Sequence, residues 1–364
     1  MHYGAIKYNG QVWLLGFNRF GELGDNTTTN RGSPVLVVGN HTFVECDYGG
    51  NYIGAEMGAY GFSAARKNNG QVWTWGANDV GQLGTNNLIS RSSPVLVVGN
   101  HSFTEISCGA DHMMALKSDG MAWGWGNNNK GSLGTNNVIP RSSPVPVVGS
   151  HSFITICAGH EASYGLKANG QVWSWGDNEY GQLGDNTNTN RSSPVLVVGN
   201  HSFISIACHH FSDLYGSKMA AALKSNGQVW TWGTNYYGEL GNDTLTNASS
   251  PVLVVGNHSF IKVVCGGFHM LALKENGEVW AWGRNHKGQL GVFDDYDRSS
   301  PVLVVGNHSF IDIRAGRELS LALKSNGELW KWGDYTESPI LIIGNHSFAS
   351  LWGFKIRQAQ SFII

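Results

Sequence analysis

The sequence predicts an all-β fold, a seven-bladed β-propeller closed into one ring, on three observations. A V-W-x-W unit or a close variant recurs seven times, with its first tryptophan at Trp13, Trp73, Trp123, Trp173, Trp230, Trp280 and Trp330. A second landmark, Ser-Pro-Val or Ser-Pro-Ile followed by Gly-Asn-His-Ser-Phe or a relative of it, also occurs seven times, at Pro34, Pro94, Pro144, Pro194, Pro251, Pro301 and Pro339. The unit is 50 residues long, with insertions of 10 and 7 in two copies, and such periods mark stacked supersecondary units that cannot bury their own faces alone. Third, no 3.6-residue period appears, whereas short apolar runs joined by Asn-Gly or Asp-Gly recur throughout, the strongest local signal for a two-residue hairpin.

Each unit reads as four strands. Strand A is the β-branched run typified by SFISIAC (residues 202–208), expected innermost. Strand B is the Ala-Leu-Lys run, and strand C follows it across the Asn-Gly turn. The two tryptophans of strand C stand at i and i+2 and so share one face of the sheet, where they are expected to pack one blade on the next. Strand D is SPVLVV; its proline lacks an N–H, which suits an outer edge strand.

Composition narrows the functional classes. With 24 basic and 26 acidic residues the net charge is −2, which supplies no basic field for nucleic acid. Charged residues make up 14% of the chain, against about 25% in an ordinary soluble protein, so the surface is neutral and polar. No apolar run approaches the roughly 18 residues of a membrane span, and Met1 leads into repeat sequence without a signal-peptide core.

The stretch ISCGADHMMALKSDGMAWGWGNNNKGSLG (residues 106–134) and its counterparts resemble the G-x-x-H-x-x-A-L and W-G-x-N-x-x-G-Q-L-G signatures of the RCC1 family, the regulator-of-chromosome-condensation type of seven-bladed propeller. The resemblance covers residues 1–354 in all seven units. The signature histidine is present at His2, His112 and His269 and replaced by Phe62, Ala162, Met219 and Leu319, so it is no obligatory chemical group. The resemblance implies two activities as alternatives to plain protein binding: guanine-nucleotide exchange on a small GTPase, and inhibition of an enzyme by the loop face.

The chain opens inside a unit, at a strand B over residues 2–7, and supplies a lone strand A, SFASLW, at 347–352. Residues 1–354 are therefore expected to form one ring with a composite first blade, which removes two exposed strand edges. The surplus tail KIRQAQSFII (355–364) is either packed on the ring or a docking peptide.

Up-and-down strands put the A–B and C–D loops on one face and the near-invariant Asn-Gly and Gly-Asn-His turns on the other. Loops on a rigid scaffold carry function, so the working surface is expected on the variable face. Both insertions fall there, as A–B loops of the second and fifth blades: residues 46–62 with Tyr48, Tyr52 and Tyr60, and residues 208–219 with His209, His210, Phe211 and Tyr215. Large aromatics suit protein interfaces; alternatively they plug the mouth of the channel. The loop Asp294, Asp295, Tyr296 and Asp297 adds an acidic irregularity that could meet a basic partner or stand solvated, without the glycine and glutamate of an EF-hand.

Signals for catalysis are weak, although spacing along the chain does not test for a triad assembled from distant positions. Gly76-x4-Gly81 continues with Gln82-Leu83 where a phosphate loop needs Lys-Ser/Thr. Cys208, His209 and His210 have no second ligand pair at metal spacing. Neither metal nor cofactor is expected. Cys46, Cys108, Cys157, Cys208 and Cys265 each end a strand A, where Ala315 stands in another blade, and are expected to be free and too far apart to bridge; free thiols suit folding in a reducing cytosol. The Asn-His-Ser/Thr triplets at Asn40, Asn100, Asn200, Asn257, Asn307 and Asn345 are read as turns. The expected function is a non-enzymatic protein-binding or structural module, of a virion or cell surface, whose partner is a target protein or neighbouring subunit rather than nucleic acid or membrane.

Overall fold

The computed structural model describes residues 2–7, 9–52, 59–209 and 217–342, and among these every regular element is a strand. Seven antiparallel sheets follow one another along the chain. The first has three described strands, β1 (His2–Ile6), β2 (Val12–Gly16) and β3 (Arg31–Leu36). The second comprises β4 (Glu45–Tyr52), β5 (Ala59–Arg66), β6 (Val72–Gly76) and β7 (Arg91–Leu96), and the third β8 (Glu105–Cys108), β9 (His112–Leu116), β10 (Ala122–Gly126) and β11 (Arg141–Pro146). Blade four runs through β12 (Thr155–Ala158), β13 (Ala162–Leu166), β14 (Val172–Gly176) and β15 (Arg191–Leu196); blade five through β16 (Ser205–Cys208), β17 (Met219–Leu223), β18 (Val229–Gly233) and β19 (Ala248–Leu253). Blade six holds β20 (Lys262–Cys265), β21 (His269–Leu273), β22 (Val279–Gly283) and β23 (Arg298–Leu303), and blade seven β24 (Asp312–Ala315), β25 (Leu319–Leu323), β26 (Leu329–Gly333) and β27 (Thr336–Leu341). The segment 347–352, expected to complete the first blade, and the tail 355–364 lie outside the described residues.

Strand D is the outer edge, and its proline sits in a bulge: Thr74 faces Val95 while Gly76 faces Arg91, so Ser92, Ser93 and Pro94 oppose Trp75 alone. A proline is tolerated there because no ladder bond needs its missing N–H.

The two tryptophans of strand C divide the work. The second of each pair, at Trp75, Trp125, Trp175, Trp232, Trp282 and Trp332, is fully buried. Five of them donate Nε1–H to a carbonyl in the C–D loop of the preceding blade, as Trp125 does to Gln82 O (3.0 Å) and Trp175 to Ser132 O (2.8 Å). These rings mortar blade to blade, as the sequence pattern predicts. The first tryptophan is only partly buried and lies against the D–A turn that leads into its own blade: Trp73 packs against the His41 ring (4.3 Å) with the Lys67 ammonium 4.9 Å from its centroid.

One asparagine explains the W-G-x-N-x-x-G-Q-L-G signature. In the C–D loop of the second blade Asn78 Oδ1 accepts from Leu83 N (2.9 Å) while Nδ2 donates to Asn87 O (3.0 Å) and Ile89 O (3.2 Å). A long loop is thereby folded around one buried amide, and Leu83 is driven into the core. The closing Gly84 has φ +66°, and a Cβ there would stand 2.8 Å from Trp125 Nε1, so only glycine lets the next blade's indole close on the loop.

The signature histidine is an interblade strut. His2 Nε2 is 2.9 Å from Ser63 Oγ, His112 Nε2 is 2.9 Å from Ser163 Oγ, and His269 Nε2 is 2.8 Å from Ser320 Oγ. Each serine belongs to the following blade. Where the histidine gives way to Phe62, Ala162 or Met219, the next blade offers Met113, Ala220 or Met270 instead of serine. Polar pairs with polar and apolar with apolar, which is why the histidine can vary among blades.

Two expectations need correction. Cys157 and Cys208 form a disulfide across Cα atoms 6.3 Å apart. Cys157 is not equivalent to Cys208: counted from Phe153 and Phe203, it stands one residue earlier in its strand. Successive strand residues point to opposite sides, so Cys157 faces the next inner strand and Cys208 faces back. The same relation joins Asp47 Oδ2 to Cys108 N (2.8 Å) and Ser107 Oγ to Ala158 N (3.0 Å) in neighbouring blades. Cys46, Cys108 and Cys265 are buried and form no disulfide. The described part of the first insertion, in turn, is not loop but a continuation of the sheet: β4 and β5 each run eight residues and stay in register from Glu45↔Arg66 to Tyr52↔Ala59.

Candidate functional site on the loop face

The A–B and C–D connections emerge on one face, and most of the expected site residues that are described here meet it. Tyr60 stands on the extended hairpin and stacks on Phe20 of the first blade, 4.7 Å between centroids, while Arg19 lies 5.6 Å from that Phe20 ring. Tyr48 is buried lower in the same hairpin, 5.3 Å from the His2 ring. The Tyr52 side chain, His210, Phe211 and Tyr215 lie outside the described residues. His209 is buried at the base of the second insertion.

The acidic loop is largely spent on its own folding. Asp294 Oδ1 accepts from Tyr296 N (3.0 Å) and its carboxylate pairs with Arg298 (2.6 Å); Asp297 Oδ1 accepts from Asn285 N (2.7 Å). These are the bonds that Thr27 and Asn30 supply in the first blade. Asp295 and Tyr296, the latter 70% exposed, are what the loop offers to solvent.

Sequence reasoning passed over a row of side chains inside the signature itself, at the variable places of G-x-N-x-x-G. Around the face these carry Phe17, Arg19 and Phe20, then Asp79, Lys130, Asp177, Glu179 and Tyr180, then Tyr236 and Tyr237, then Arg284, His286 and Lys287. The rings of Tyr180 and Tyr236 meet edge-on at 6.1 Å, and Tyr237 meets Phe268 at 5.9 Å. The usable signal was disagreement among repeats within a fixed motif, not insertion length.

Charge concentrates between the fourth and fifth blades. Lys218 Nζ is 2.6 Å from Asp177, 3.6 Å from Glu161 and 3.9 Å from Glu179. Its hydrogen bond to Asp177 and the neighbouring carboxylates hold its pKa up against burial. Burial pushes the adjacent His160 down to about 4, so that imidazole is neutral. Burial likewise raises the Glu161 and Glu239 carboxyls. Among the described residues no group of three or more histidine, cysteine or acidic side chains could hold a metal ion.

The chain matches the profile described as the Regulator of chromosome condensation (RCC1) repeat over residues 69–116, 119–166, 169–212, 226–273 and 276–323, more than half its length. In fold it is similar to human WBSCR16 (TM-score 0.77, 20% identity, 95% of this chain and 98% of that one) and to yeast RCC1 (Prp20) in its complex with Kap60 (0.75, 19%, 93% and 85%). In sequence it is similar to the ultraviolet-B receptor UVR8 of Arabidopsis thaliana, 27% identical over 114 residues, a match that spans 31% of this chain and 24% of the receptor. The repeats, the interblade tryptophans and the seven sheets agree: this chain belongs to the RCC1 repeat family.

Proposed function

We propose that the chain is a non-enzymatic protein-binding module whose partner seats on the A–B/C–D face. One observation carries the reading: the departures from seven-fold likeness gather there. The extended hairpin at 45–66, the second insertion, the acidic loop and the aromatic row all belong to that face. The opposite face repeats one stack of histidine, tryptophan and lysine six times, from His41, Trp73 and Lys67 to His308, Trp330 and Lys324. A surface that looks the same in every blade gives a unique partner no single register. Yeast RCC1 (Prp20), of similar fold, is bound to another protein, Kap60, in its crystal structure.

Lysines on both faces provide the test. Chemical cross-linking of the native chain to the protein that co-purifies with it should capture Lys130 and Lys287, on the loop face, in preference to Lys117, Lys167 and Lys224, on the turn face. Cross-links confined to the second set would overturn the assignment.

A further inference from the structure

Two stations on the loop face share one arrangement, a cation over an aromatic ring beside a carboxylate. The Arg284 guanidinium lies over Tyr237 (4.9 Å) and Phe268 (5.0 Å), with Glu318 3.9 Å away. The Lys218 ammonium lies 5.6 Å from the Tyr180 centroid, among Asp177, Glu161 and Glu179. The ring's negative face and the carboxylate hold the same positive charge from two sides.

A third ring, Tyr236, has the setting without the cation. It meets Tyr180 edge-on, is 55% exposed, and among the described residues no cation lies over it. Beside Tyr180, the Glu179 side chain is 59% exposed. Three carboxylates, Glu161, Asp177 and Glu179, stand here against Lys218 and, across the adjoining cleft, Lys130. His160 is neutral and does not redress the balance. Asp177, which lines that cleft, is fully buried, and its Oδ1 accepts no hydrogen bond from any described residue. A buried oxygen without a donor is costly to leave, and a ligand rich in N–H groups relieves it.

We infer that Tyr236 and Glu179 form the receptor for an arginine side chain of the partner protein. The guanidinium lies on the Tyr236 ring and pairs with Glu179, and its remaining donors face the carboxylate-lined cleft. Arginine fits better than lysine because its flat, weakly hydrated fork both stacks and binds a carboxylate through two N–H groups. The inference rests on the loop-face reading and adds to it the chemistry of one contact.

The probe is a short fluorescein-labelled Gly–Arg repeat peptide, titrated against the whole chain by anisotropy, beside a twin with neutral citrulline at every arginine. The arginine peptide should bind and its twin should not. Tyr236→Ala and Glu179→Gln should each weaken binding about tenfold, the scale of a part-buried cation–aromatic or charge-assisted contact. Tyr236→Phe, which keeps the ring, should bind nearly as the parent does. Failure of the arginine peptide to bind, equal binding of both peptides, or parental affinity in Tyr236→Ala and Glu179→Gln would overturn the receptor. Glu278→Gln, which removes a carboxylate of the turn face, separates the two readings: if that variant alone loses the arginine peptide, the loop-face assignment fails as well, whereas cross-links retained at Lys130 and Lys287 would leave the face standing and remove only this contact.

Discussion

Removing one mortar indole tests the account of interblade packing directly. Trp175 is fully buried, packs with Phe153 at 5.9 Å, and donates to Ser132 O at 2.8 Å. Truncating such a ring costs about 3–5 kcal/mol. The lost hydrogen bond adds little, because Ser132 O still accepts from Ser163 Oγ at 2.8 Å and so is not stranded. With an unfolding entropy of about 2.1 cal/mol/K per residue, a chain of 364 residues should lose about 4–7 °C in Tm. Trp175→Ala, measured by differential scanning calorimetry, should show that loss, while Trp173→Ala, at the half-buried first position, should lose less. Equal losses, or a larger one at Trp173, would refute the division of labour between the two tryptophans. Normal melting with lost partner binding would move Trp175 to the site.

Three further outcomes follow from the same contacts. Burial holds His2 and His269 near pKa 3, below the unfolded value of about 6.5, so the unfolded chain takes up protons first and stability should fall as pH drops from about 6.5 toward 3, by up to about 1.4 kcal/mol per pH unit for each histidine. The paired change His269→Met with Ser320→Met, which copies Met219 and Met270, should flatten that slope in urea titrations; an unchanged slope would contradict the neutral strut. The disulfide joins residues 51 apart, so Cys157→Ser with Cys208→Ser should cost about 2–4 kcal/mol, and thiol counting on the unfolded parent should find three free cysteines rather than five. Deleting residues 347–352 tests the expected composite blade: it should broaden and lower the melting transition, and an unaltered transition would remove that blade.

The fold was legible because its strongest determinants are local and repeated. Asn-Gly fixes a hairpin wherever it stands, and tryptophans at i and i+2 must share a face. The disulfide was not legible, since Cys157 and Cys208 look equivalent until their one-residue offset is mapped onto the alternation of strand faces. The hairpin at 45–66 was hidden by its glycines, which read as loop; Gly49 is instead required because a Cβ there would stand 2.0 Å from Gly109 O. Among the candidate residues, Tyr60, Asp295 and Tyr296 stand out in the sequence by their irregular surroundings, whereas Tyr180, Tyr236 and Tyr237 stand inside the most regular motif of the chain. Regularity there comes from the buried asparagine and leucine, which leave the solvent-side places free to differ.

The histidine–serine struts have a consequence for how a chain of near-copies avoids self-confusion. Seven alike units invite wrong neighbours during folding, because any strand B could dock beside any blade. His112 beside Ser163 gives a buried imidazole a hydrogen-bond partner in the next blade; His112 beside Ala220 would lose that partner, and Phe62 beside Ser163 would set a ring against the hydroxyl in place of the imidazole. Each of these junctions thus carries one of two labels, polar or apolar, and docking across the two types is disfavoured. Shuffling or duplicating single units should therefore fail at the labelled junctions, while moving the third and fourth blades together, or the sixth and seventh, keeps the labels intact.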